Sequence, residues 1–213
     1  MINNNKHIGI EIPESMPNFI SANEIESLKT IGLDIEIKRK PTPGPMNMFE
    51  WLIPTTIVAY ILKPYFEGFL NEAGKDNYLA LKKWINNIVD KARQIKVHTI
   101  YSSMLVDKKS KKYSQSKSVS LFLPTKDGKV IKLLFDNDLS KDDWDNAIDQ
   151  LLDFTIENFE KYPNDILSKN IAQLGTDNYA IFAIIDKKTK KLIFYDRKDL
   201  VRLHNQNIDN ANK

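Results

Sequence analysis

Apolar and polar positions alternate in some stretches of the chain and recur every three or four residues in others, which predicts a mixed set of strands and helices. His7 to Ile12 places Ile8, Ile10 and Ile12 on one side, as a short strand does. Ser21 with Glu24 forms a capping box, Ile25 and Leu28 continue an apolar stripe, and Gly32 suits a helix stop. Leu33, Ile35 and Ile37 then alternate with Asp34, Glu36 and Lys38 in a second strand. Residues 75–93 carry Tyr78, Leu81, Ile85, Ile88 and Ala92 at helical spacing.

From Ile95 the period returns to two, with Val97, Thr99 and Tyr101 on the same side. Residues 118–123 and 130–135 follow as strands joined around Asp127-Gly128, which supplies the backbone of a tight turn. Ser140 and Asp143 open a long helix with the stripe Trp144, Ile148, Leu151, Leu152, Thr155 and Phe159, closed by Pro163. Asn164 is the expected cap of a shorter helix ending at Gly175, and residues 179–185 and 192–195 form a final hairpin. These last strands are apolar on both faces, so they are expected at the centre of the sheet.

The run from Met46 to Leu70 departs from both periods, because its apolar density exceeds what a surface helix needs. Only residues 51–62 lie between Glu50 and Lys63, whereas a membrane span takes roughly 20 apolar residues. Pro54 and Pro64 suit the first turns of two helices, which predicts a proline-bent apolar helical hairpin. The fold class expected is α+β, a mainly antiparallel sheet of about seven strands with helices packed on it, in a single domain over residues 1–213. Three stretches are expected to be mobile: the N-terminus 1–6, the Lys-rich loop 107–117 and the tail 204–213.

Composition matches a folded soluble domain, with 42% hydrophobic and 28% charged residues. The absence of cysteine removes disulfides, thiolate metal sites and cysteine nucleophiles. The polar Met1 to Lys6 lacks the apolar centre of a signal peptide, which predicts a cytoplasmic location. The net charge of +3 is concentrated in Lys108, Lys109, Lys111, Lys112 and Lys117. Of the 31 cationic residues only Arg39, Arg93, Arg197 and Arg202 are arginine, and that scarcity argues against nucleic acid as a partner.

No glycine-rich phosphate loop, Gly-x-Ser-x-Gly elbow or paired histidine occurs, and no cofactor or metal is expected. His7, His98 and His204 stand apart from one another. The one constellation with catalytic spacing is Asp34, Glu36 and Lys38, where a carboxylate would bind Mg²⁺ and the ammonium would steady phosphate charge, with Glu24 or Glu26 as a further ligand. It resembles the acid-x-lysine signature of restriction-type nucleases, which implies a phosphodiester hydrolase as the alternative reading. No Pro-Asp turn precedes it here, and charges also protect ordinary edge strands.

The leading expectation is a noncatalytic regulatory protein that contacts another protein, or a second copy of itself, through the apolar segment. Met48, Phe49, Trp51, Tyr65 and Phe69 are the contact residues expected, because methionines and aromatics dominate adaptable interfaces. A membrane-surface effector that does not span the bilayer is the further alternative.

Overall fold

The computed structural model describes residues 3, 5–16, 19–41, 55–69, 72–95 and 115–203. The strands are β1 (Ile8–Pro13), β2 (Ile35–Lys40), β3 (Ile57–Ile61), β4 (Gln115–Pro124), β5 (Val130–Asp136), β6 (Ala180–Ile185) and β7 (Leu192–Tyr195). Between them run α1 (Ala22–Thr30), α2 (Lys63–Phe69), α3 (Glu72–Arg93), α4 (Lys141–Lys161) and α5 (Ile166–Gln173), and α6 follows over residues 197–203. The expected fold class, α+β with seven strands, is the one observed.

The helices start where side chains replace missing backbone partners. In α1 the Ser21 hydroxyl accepts from the Glu24 N–H while the Glu24 carboxylate accepts from the Ser21 N–H, and Ser140 and Asp143 repeat that exchange in α4. The cap of α5 is Asp165, not Asn164. Its carboxylate accepts from the Ser168 N–H at 2.8 Å and is itself held by Asn158 of α4, which fixes the start of the helix one residue later than expected. Gly175 stops α5 at φ +57°, a backbone that costs glycine nothing.

The strands form one sheet in the order β2-β1-β3-β4-β5-β6-β7. It is mixed, not mainly antiparallel: β1 with β2, β3 with β4 and β5 with β6 are parallel, and the other three pairs are antiparallel. Each parallel pair is joined by helices, since parallel neighbours need a crossover. The chain is thus three strand-helix-strand units, closed by β7 and α6. The steps from β1 to β2 and from β3 to β4 have one sense relative to strand direction and the step from β5 to β6 the other. With α1 to α5 packed into one core on one face, the three crossovers cannot share a hand, so at least one departs from the usual right-handed form.

The expected helical hairpin is corrected in its middle part. Ile57–Ile61 is a strand, with Ile57, Ala59 and Ile61 buried between β1 and β4. The helix expected near Pro64 is present as α2, and residues 42–54 lie outside the described residues. The final hairpin is not central either: β7 is an edge strand. It is apolar on its outer side because Leu200 of α6 packs there with Leu134 and Phe182. Residues 115–117, expected in the Lys-rich loop, belong to β4; residues 107–114 of that loop, the strand expected after Ile95 and the tail 204–213 lie outside the described residues.

Ile8, Ile10, Ile57, Ala59, Leu121, Leu133 and Ala183 line the first face of the sheet, and all are buried in one core with Leu28, Phe66, Leu81, Ile85, Ile88, Trp144, Ile148 and Leu151 from the helices. Each such leucine or isoleucine contributes about 1.5–3 kcal/mol. Among the described residues no helix is long and apolar enough to cross a membrane.

Candidate functional site

The edge strand β2 brings Glu36 and Lys38 together, with Asp34 just before it. Lys38 Nζ lies 3.5 Å from a Glu36 oxygen, and the other Glu36 oxygen accepts from the Asn3 N–H at 2.6 Å. That backbone bond first, with Lys38 adding to it, holds the Glu36 carboxyl below the usual carboxylate range. Asp34 is met by Lys6 at 3.6 Å, and its N–H donates to His7 Nδ1 at 2.9 Å. Glu24 faces away toward α3, accepting from Asn87 and Lys91. The acids are therefore engaged with donors, and among the described residues no group of three or more acids or histidines could hold a metal ion.

The predicted contact residues divide. Tyr65 is 3% exposed and packs edge-on against Phe66, which stacks on Phe159 of α4 at 5.2 Å. Phe69 is the last residue of α2. Met48, Phe49 and Trp51 lie outside the described residues, as do His98 and His204.

A third arrangement escaped the sequence reading. On the second face of the sheet, opposite α1 to α5, register aligns Gly9, Tyr60, Phe122, Lys132, Phe182 and Tyr195 in one row across six strands. Contacts run along most of it. Lys40 Nζ lies 2.5 Å from a Glu11 oxygen, and the Tyr60 hydroxyl donates to the same oxygen at 3.0 Å. Tyr60 stacks on Phe122 with centroids 5.1 Å apart, and Lys132 Nζ lies 5.2 Å from the Phe122 centroid. Beside them Ser116, Ser118 and Ser120 are buried on β4; Ser120 Oγ lies 2.6 Å from Thr55 Oγ1, and Ser116 and Ser118 share a hydrogen bond of 2.7 Å.

Burial sets the electrostatics of this row. Lys132 is only 8% exposed, and loss of water pushes its pKa down from 10.5 to about 8. Burial pushes the Tyr60 phenol up, with the Glu11 charge and hydrogen bond adding to it, so Tyr60 stays a donor at neutral pH. Cation, ring faces and hydroxyls together can hold a planar or anionic group. The signal of this row in the sequence is the lone lysine inside the apolar run from Val130 to Phe135, with serines at alternate positions of the neighbouring strand.

Between α3 and α4 the polar contacts are structural. Tyr78 donates to Asp153, and Lys82 meets Asp149 at 2.6 Å one turn further on. Asn86 and Asp145 line an open groove above the next turn, beside the exposed Leu79.

No family model, curated protein or solved structure matches this chain.

Proposed function

We propose that this is a noncatalytic binding protein that contacts another protein through residues 46–53, the apolar stretch ahead of β3. One observation carries the reading: the chain on either side of that stretch is pinned at one end of the sheet. β2 ends at Lys40 beside Pro13, and β3 begins on the other side of β1, where Glu11 faces Val58. Two strand spacings separate those ends by about 10 Å, whereas residues 42–54 could span about 40 Å if extended. So much chain for so short a gap, rich in Met46, Met48, Phe49 and Trp51, is the mark of a functional insertion in a compact domain. Tyr65 and Phe66 fasten its far side to the core and leave the aromatics before β3 as the contact.

A second long connection supports this. Residues 96–114 leave α3, whose Arg93 donates to the Leu139 carbonyl, and return at Gln115, which pairs with Asp136 at the same end of the sheet. The lysines 108, 109, 111 and 112 fall in that connection. An apolar stretch and a basic one joined to one end of a sheet favour a partner with an apolar groove and an acidic rim.

Affinity purification from the native cell tests the reading, using wild type, Met48→Glu and Trp51→Glu. A companion recovered with wild type and lost with both variants, at unchanged melting temperature, is the expected result. Equal recovery by all three, or no companion at all, overturns it. A blue shift of tryptophan emission on anionic vesicles, absent in Trp51→Glu, would replace the protein partner with a membrane surface; Trp84 and Trp144 are buried and serve as internal references.

A further inference from the structure

No further inference is drawn: the strongest candidate, the row of Tyr60, Phe122 and Lys132 on the second face of the sheet, carries nothing because Leu200 of α6 covers only its Phe182 end and nothing in the structure shows what covers the rest.

Discussion

The two faces of the sheet are both buried, and they are buried on opposite terms. The first face presents isoleucine, leucine, valine and alanine to five helices, so each residue removed from water stabilises the fold. The second face removes Glu11, Ser116, Ser118, Ser120, Lys132 and Asp136 from water as well. Groups of that kind cost free energy unless hydrogen bonds or charges offset the loss. The hydroxyls and Glu11 have hydrogen-bond partners and Lys132 lies over the Phe122 ring, yet burial still depresses the lysine's pKa. The first face thus specifies the fold, while the second is where the molecule bears a cost that packing does not demand.

Substitutions matched by position sharpen this contrast. Leu121→Ala, in the central strand on the first face, is expected to destabilise by about 2–5 kcal/mol in urea denaturation, because a fully buried leucine leaves a cavity. A loss below about 1 kcal/mol would mean that the helices do not close over that face. Lys132→Met keeps the volume and removes the charge. Below pH 8 Lys132 is protonated in both states, and the folded state bears the desolvation cost. Between pH 8 and 10.5 the folded protein sheds that proton while the unfolded chain keeps it, so stability rises with pH in that window. The shift corresponds to about 3 kcal/mol at neutral pH. Lys132→Met should therefore stabilise by about 1–3 kcal/mol at pH 7 and flatten the rise that wild type shows between pH 8 and 10.5. A variant less stable than wild type at pH 7 would show that the contacts of the ammonium outweigh its desolvation and that the faces differ less than their chemistry suggests.

Ser120→Ala tests the second face at its most central position. Ser120 is wholly buried and meets Thr55 Oγ1, so its removal leaves one hydroxyl to find another partner, at about 1 kcal/mol. The same melt reports it. A change as large as that of Leu121→Ala would place Ser120 in the core proper.

What the sequence disclosed and what it hid follow the same division. α4 was legible because Ser140, Asp143 and the stripe from Trp144 to Phe159 are local signals that agree. β3 was not, since five apolar residues between two prolines carry no period that separates a strand from a buried helix. Losing β3 also hid the second strand-helix-strand unit, and with it one of the three parallel pairs. Strand pairing lies outside periodicity in any case: nothing within Ile35–Lys40 states that its neighbour is parallel. The row from Tyr60 to Tyr195 needed register across strands far apart in sequence, so only Lys132 in its apolar run, with the alternate serines of β4, could have pointed to it. Asp34, Glu36 and Lys38 were readable as a cluster. Their engagement with Asn3, Lys6 and one another was not.

The smallest effect is expected where the second face reaches its charged edge. Lys38 and Glu36 are both partly exposed at 3.5 Å, and such surface pairs contribute about 0–1 kcal/mol. Lys38→Ala should therefore change urea stability by no more than about 0.5 kcal/mol. The same variant separates binding from catalysis. With Mg²⁺ and DNA or RNA, wild type is expected to cleave no faster than Lys38→Ala, because Glu36 is already held by a backbone N–H and by the ammonium that a nuclease would aim at phosphate. Metal-dependent cleavage by wild type that disappears in Lys38→Ala, with stability intact, would turn this edge into an active site and reverse the assignment of function made above.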